Sequence, residues 1–186
     1  MKPTLLLIAI LISLSTFSHT QKDNGPPNLS GTWKLKSASK NTVTGSGTSR
    51  EIGDNLVITQ TDGELVFVGT SVVKGIVQTN RLTFYPDGRG EENLWTGSKR
   101  PVKTVTNWDK GVLRILEIKE VTFRAPTYGV KKGELKIKEE WTLSKDGKKL
   151  TQRIRDNWFE IDPMVREVGG TAAYSMEVKH VYERQP

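Results

Sequence analysis

The chain has 186 residues, no cysteine and a formal net charge of +7. The missing cysteine excludes disulfides, a thiol nucleophile and a cysteine-ligated metal site. The basic residues are interleaved with acidic ones, as in residues 136–140 (sequence KIKEE), which indicates a solvated basic surface and no nucleic-acid partner.

The first residues indicate a signal for export. Lys2 precedes an apolar run that is shorter than the roughly 20 residues of a membrane-spanning helix. We predict a signal peptide over residues 1–20, a disordered segment over residues 21–28 and a single domain over residues 29–186. The exact cleavage point stays open, and an uncleaved anchor is the alternative. Cleavage would leave a chain without a transmembrane segment, located in the periplasm or outside the cell.

From Gly31 onward, apolar side chains occur at every second position, which is the period of a β-strand with one buried face. Short turn sequences that contain Asp and Gly, such as Asp62-Gly63, separate these runs and favour antiparallel hairpins. The predicted strands span residues 31–37, 55–60, 64–70, 76–85, 91–96, 101–109, 112–121, 134–144, 149–157 and 175–183.

This pattern predicts an all-β fold. We expect about eight to ten strands in an antiparallel up-and-down meander that closes into a barrel, because closure removes the exposed edges of a sheet. Two segments depart from the period of two. Residues 42–49 are rich in Gly, Ser and Thr and predict a loop. Residues 162–169 carry an Asp cap, a Pro at the first helical position and a terminal Gly, which predict one short helix before the last strand.

Residues 29–35 (sequence LSGTWKL) resemble the opening of lipocalin-like proteins of the calycin group. The hairpin sequence from Trp141 to Thr151 is similar to a late hairpin of the exported bacterial members. The resemblance covers about residues 29 to 160. It implies a lipocalin-like, cup-shaped barrel that binds a small apolar or amphipathic molecule.

The resemblance also implies how one end of the barrel is closed. The Gly-x-Trp pattern lies on the first strand of these proteins, so Gly31 and Trp33 are expected to close that end. A basic residue late in the chain packs on this Trp in lipocalins, and Arg155 and Arg184 are both candidates here. The chain departs from the family in lacking the disulfide that lipocalins usually carry.

Glu139 is the most informative candidate for a binding residue. By strict alternation it faces the same side as Ile137 and Trp141, which is the expected interior. A carboxylate there is costly unless it is paired or hydrogen-bonded. One interpretation is a polar anchor at the base of a ligand cavity, with Gln152 beside it on the partner strand. The alternative is a β-bulge that turns Glu139 outward, or a structural ion pair.

Glu117 and the tryptophans are further candidates for the lining of a cavity. Glu117 shares a face with apolar residues, but both faces of its strand are partly apolar, which leaves its direction open. Trp108 and Trp141, together with Trp95 and Trp158, line a ligand cavity in one interpretation and form the core or rim of the barrel in the other.

Little in the sequence indicates catalysis. After the predicted signal peptide, His180 is the only histidine, and no Gly-x-Ser-x-Gly sequence is present. We therefore expect no enzyme, no cofactor and no metal site. The expected function is to bind a small hydrophobic or amphipathic molecule inside the barrel. A filled barrel that contacts other envelope components is the alternative, and an enzyme with Glu139 and Glu117 as acid and base is a third hypothesis.

Overall fold

The computed structural model describes residues 25–41, 52–95, 100–125, 129–160 and 175–186. The predicted signal peptide, the predicted loop at 42–49 and the predicted helix at 162–169 lie outside these residues. In the described part, no helix is long and apolar enough to cross a membrane.

Ten strands make up most of the described chain, which is the upper limit of the predicted number. The strands are β1 (Gly31–Asn41), β2 (Asn55–Gln60), β3 (Leu65–Val73), β4 (Ile76–Phe84), β5 (Glu91–Asn93), β6 (Val102–Asp109), β7 (Val112–Ala125), β8 (Gly129–Leu143), β9 (Lys149–Glu160) and β10 (Ser175–Arg184). The hairpin of β7 and β8 is longer than predicted. β5 is shorter than predicted, since it ends three residues before the expected limit at position 96.

All neighbouring strands pair antiparallel, in the order β4-β3-β2-β1-β10-β9-β8-β7-β6-β5. The first strand therefore pairs with the last, for example through Leu35 opposite Tyr182. The register of this pair shifts between Leu35 and Ser37, which marks a β-bulge at Lys36. The predicted all-β, up-and-down meander is confirmed.

Side chains, and not a strand ladder, join the two edge strands β4 and β5. Asn93 donates from Nδ2 to the Thr83 carbonyl and accepts from the Thr83 amide, both at 2.7 Å. Glu91 accepts from the Tyr85 amide at 3.2 Å and from the Thr104 hydroxyl at 2.5 Å. These bonds satisfy backbone groups at the edge of the sheet, which therefore forms a nearly closed barrel.

Trp33, which is fully buried near the start of β1, distinguishes the two ends of the barrel. Its Nε1 donates to the Leu29 carbonyl at 3.1 Å, and the Leu29 amide donates to Gln60 Oε1 at 2.8 Å. These bonds hold the segment before β1 against the last residue of β2. We call this the Trp33 end. β1, β3, β7 and β9 run from it toward the far end, and β2, β4, β8 and β10 run back.

Apolar side chains form two clusters inside the barrel. The main cluster fills the Trp33 end and includes Trp33, Phe67, Phe84, Trp141 and Tyr182. The smaller cluster lies nearer the far end on β8, β9 and β10 and consists of Ile137, Ile154 and Val178. The inward positions between the two clusters are polar on all three strands, and these positions form the candidate site.

Candidate functional site

One inward-facing polar side chain on each of three adjacent strands separates the two apolar clusters. The three residues are Glu139 on β8, Gln152 on β9 and His180 on β10, and we call them the polar layer. Glu139 and Gln152 are fully buried, and His180 is 2% exposed. On each strand, the inward residue two positions away belongs to the main cluster on one side and to the smaller cluster on the other.

The period of two places Glu139 inside the barrel, as the sequence predicts. Its strand keeps an unbroken register with both neighbours, and Glu139 lies opposite Ile115 on β7 and Ile154 on β9. The side chain has no exposed surface. The alternative in which a β-bulge turns Glu139 outward is therefore wrong.

Hydrogen bonds connect the three members of the polar layer. Glu139 Oε1 accepts from Trp141 Nε1 at 2.5 Å and from Gln152 Nε2 at 2.9 Å. Because Gln152 turns its amide nitrogen toward Glu139, its carbonyl oxygen faces His180 Nδ1 at 2.8 Å. A carbonyl oxygen only accepts, so the proton of this bond is on His180 Nδ1. In this series of hydrogen bonds, His180 donates to Gln152 and Gln152 donates to Glu139, so each donor points toward Glu139.

Aromatic rings close the space on the Trp33 side of the polar layer. Trp141 stacks on Tyr182 with ring centroids 5.9 Å apart. It also meets Phe67 of β3 edge to face, at 5.1 Å and an interplanar angle of 85°. Since β3 and β8 belong to opposite halves of the sheet order, the contact between Phe67 and Trp141 bridges the barrel from wall to wall. The polar layer lies directly beyond this contact, toward the far end.

Glu117 also points into the barrel, which settles the direction that the sequence left open. It is 3% exposed and lies opposite Ile137, one inward position from Glu139 on the adjacent strand. The Lys119 ammonium lies 3.7 Å from its Oε1. Arg114 faces outward on the same strand, where it pairs with Glu140 at 3.3 Å.

Asn80 on β4 is a buried polar residue on the wall opposite the polar layer. It is 4% exposed, and its Nδ2 has no hydrogen-bond partner in the described part of the chain. Asn80 lies opposite Gly69, whereas the next inward pair toward the Trp33 end is Leu82 with Phe67. A buried donor without an acceptor costs about 1 to 3 kcal/mol. The Asn80 amide therefore destabilises the fold unless a group outside the described residues accepts a hydrogen bond from it.

The structure does not bring Trp108 to the polar layer. Trp108 is half-buried near the Trp33 end, opposite Leu113 of β7. There it lines a surface pocket of about 570 Å³ together with Pro26 and Asp62. Trp95 is 5% exposed and packs on Phe84 of the main cluster.

The side chain of Trp158 lies outside the described residues. The predicted binding residues number five. Four of them lie together, namely Glu139, Gln152, Trp141 and Glu117, and Trp108 lies apart from them. Their role in binding a ligand stays a prediction.

Arg184, and not Arg155, packs on Trp33. The Arg184 guanidinium lies over the indole, with Cζ 4.3 Å from the ring centroid. Arg155 instead donates from Nε to Glu177 at 3.0 Å on the outside of the barrel. The basic residue that packs on the first tryptophan is thus supplied by the end of the last strand, and the closure of this end by Gly31 and Trp33 stays a prediction.

Sequence reasoning missed two residues of this region. Asn80 alternates with Leu82 and Phe84, so the period of two would have placed it inside. His180 alternates with Val178 and Tyr182 in the same way. From the sequence, we weighed it only as a lone histidine with a structural or a catalytic role. The contact between His180 and Gln152 depends on the register of β9 and β10, which the sequence does not contain.

The chain matches no family model, and no curated protein or solved structure matches it. The fold and the site together define a ten-stranded, antiparallel, up-and-down and nearly closed β-barrel with a layer of buried polar residues between two apolar clusters.

Proposed function

We propose that the protein is an exported, lipocalin-like barrel that holds a small amphipathic molecule in its interior. The observation that carries the proposal is the complete burial of Glu139 between two apolar clusters. Burying a carboxylate costs several kcal/mol, and a well-packed apolar residue in its place is often as stable or more so. Packing alone therefore does not account for a glutamate at this position, whereas recognition of a polar group does.

The mechanism is burial combined with one polar contact. The apolar part of the ligand packs against side chains such as Ile137 and Val178, and each Å² of apolar surface removed from water contributes about 25 cal/mol. The polar part reaches Glu139, which is held in place by Trp141 and Gln152. Ligand sites of this kind are mostly apolar, with a few polar groups that fix the orientation.

Native mass spectrometry of the protein purified from its own host tests this function. We expect a species heavier than the polypeptide by the mass of one small molecule. The control is the same preparation after unfolding, removal of small molecules and refolding, which is expected to show the polypeptide mass alone. A host-purified protein that shows only the polypeptide mass under gentle ionisation would argue against a carrier.

A second candidate function is interaction with another envelope component. The tip of the β3–β4 hairpin exposes large aliphatic side chains: Val72 is 64% exposed, and Ile76 and Val77 are each 67% exposed. Adjacent exposed apolar residues often mark interaction sites. A photoreactive amino acid in place of Val77 is expected to give specific cross-linked products in the host, and the same substitution at the exposed residue Thr59 serves as the control. Equal products from both positions would contradict this function.

The geometry does not favour the enzyme hypothesis. Glu117 and Glu139 lie on adjacent strands of one wall, and not across a pocket from each other. An acid and a base on opposite sides of a substrate would need the second arrangement. That the protein is not an enzyme stays a prediction.

A further inference from the structure

We infer that the far end of the barrel binds an anionic lipid surface, with the tip of the β3–β4 hairpin inserted between the head groups. The tip consists of residues 71–78. The inference rests on the second candidate function, because it takes this tip as an interaction site, and it adds the chemical class of the partner. It does not depend on whether the barrel holds a small molecule.

Backbone pairing shows that the tip extends beyond the rest of the sheet. β3 pairs with β2 only as far as Thr70, and in the described part of the chain residues 71–73 pair only with residues 76–78. Lys74 and Gly75 connect the two strands with φ angles of 51° and 78°, which is the two-residue turn that matches the twist of a hairpin. The tip is therefore a regular two-stranded ribbon that projects from the barrel wall.

The projecting ribbon is apolar on both of its faces. Side chains alternate between the faces of a strand, so the pair Val72–Val77 lies on one face and the pair Val73–Ile76 on the other. Their exposed fractions are 64% and 67% for the first pair and 44% and 67% for the second. A flat protein surface would cover one of these faces and leave the other in water, whereas lipid surrounds an inserted tip on all sides.

The composition of the tip also favours lipid over a protein partner. The residues that dominate binding in protein–protein interfaces are enriched in Trp, Tyr and Arg, and valine is under-represented among them. Residues 71–78 (sequence SVVKGIVQ) contain no aromatic residue and no arginine. Their three valines and one isoleucine gain from the removal of apolar surface from water without any directional contact, which suits a fluid surface.

The charge of the far end favours an anionic surface. The β7–β8 hairpin turns at this same end, and its residues 121–133 (sequence VTFRAPTYGVKKG) include three basic residues and no acidic one. Lys74 is the single charged residue of the tip, and it is exposed. The four turns of the Trp33 end, in contrast, each carry an aspartate: Asp62, Asp87, Asp109 and Asp146. Because basic residues are attracted to anionic lipids, this difference directs the far end toward the membrane.

The size of the tip indicates a shallow insertion. From Val72 to the turn at Lys74 the strand rises about 7 Å, at about 3.3 Å per residue. Apolar faces of interfacial segments enter the boundary of head groups and acyl chains by about 5 to 10 Å. Deeper insertion is unfavourable, because the outer backbone groups of the ribbon have no neighbouring strand in the described part and hydrocarbon offers them no partner. The flexible stem of Lys74 lets its ammonium reach back to the phosphates.

Co-sedimentation of the host-purified protein with lipid vesicles tests the inference. One set of vesicles is phosphatidylcholine alone, and the other is an equal mixture of phosphatidylcholine and phosphatidylglycerol. We expect binding to the mixed vesicles to be at least about tenfold tighter than to the neutral ones, and to weaken as salt is added.

Two tip variants separate the apolar contribution from the charge. The double variant Val72→Ser with Val77→Ser is expected to weaken binding to the mixed vesicles by at least about tenfold. The matched control is Val57→Ser with Val105→Ser, because these valines are also exposed, at 44% and 41%, but lie outside the tip. Lys74→Gln is expected to reduce the preference for the anionic vesicles. Thermal unfolding establishes that each variant is folded.

The outcomes separate this inference from the function on which it rests. Native binding by the Val72 and Val77 double variant, or an equal loss in its control, would overturn the insertion of the tip. Equal binding to neutral and anionic vesicles would overturn the role of charge. Cross-linking of position 77 to a host protein without any vesicle binding would overturn the lipid surface and leave the second candidate function supported.

Discussion

The Arg184 guanidinium lies over the indole of Trp33, with Cζ 4.3 Å from the ring centroid. The same guanidinium donates to the Ser30 carbonyl at 2.8 Å and to the Gly147 carbonyl at 2.9 Å. One side chain at the end of the last strand thus connects the start of the first strand and the β8–β9 turn. This relationship holds three segments together at the Trp33 end of the barrel and explains the glycine two positions before the tryptophan.

The first prediction concerns Gly31→Ala. A Cβ at this position would lie 2.7 Å from Arg184 Nη1, and Gly31 has a φ of +145°, which L-residues rarely adopt. We expect the variant to lower the free energy of unfolding by about 1 to 3 kcal/mol, measured by urea denaturation. Gly25→Ala is the control, since a Cβ there meets no atom within 4 Å. Equal stability of the two variants would contradict the role of Gly31.

The second prediction concerns Gln152→Leu, which keeps the side-chain size and removes both hydrogen bonds of the amide. Glu139 then loses a donor and His180 Nδ1 loses its acceptor inside the barrel. We expect a loss of about 2 to 4 kcal/mol in the free energy of unfolding, because two buried polar groups each lose a hydrogen bond. Thr151→Val, at the outward position next to it, is expected to change stability by less than about 0.5 kcal/mol. A similar effect of both variants would rule out an energetic role for the polar layer.

The third prediction concerns the seam between β4 and β5. Asn93→Asp keeps an acceptor for the Thr83 amide but removes the donor to the Thr83 carbonyl. We expect the variant to open the seam locally, so that hydrogen exchange at the amides of β4 next to Thr83 becomes faster by about tenfold or more. Asn55→Asp, on the exposed face of β2, is the control. Unchanged exchange at Thr83 in Asn93→Asp would show that the backbone alone holds the seam.

The fourth prediction concerns the pH dependence of the β8–β9 turn. Hydrogen bonds from the Ser144 hydroxyl and the Lys148 amide hold the pKa of Asp146 below its ordinary value. A depressed pKa stabilises the turn at neutral pH, and this contribution is lost as the pH falls through that pKa. In Ser144→Ala the pKa of Asp146 is expected to rise, measured by NMR titration of the carboxyl carbon. The pKa of Asp87, which Arg89 lowers, is the internal reference, and an equal rise at both residues would contradict the assignment.

Much of the fold could be predicted because the period of two is a local property of the sequence. It identified all ten strands and placed Glu139 inside. The direction of Glu117 stayed open because β7 also carries apolar residues on its outer face, where Ile118 is 51% exposed. No property of β7 alone distinguishes its two faces. Pairing with β8 does so, since it places Glu117 opposite the buried residue Ile137.

Contacts between strands that are distant in the sequence could not be predicted. The choice between Arg155 and Arg184 depends on the register of β1 and β10, which places Arg184 opposite Trp33. The contact of Asn93 between β4 and β5 could not be predicted either, because a three-residue strand is too short to show a period.

The central claim is that the barrel holds a small molecule at the polar layer, beyond the contact between Phe67 and Trp141. The most direct test is a crystal structure of the protein purified from its own host. We predict electron density for a small molecule between Glu139 and Asn80, with a donor of that molecule within hydrogen-bonding distance of the carboxylate. An interior in which protein side chains alone fill this space and bind the Asn80 amide would contradict the claim.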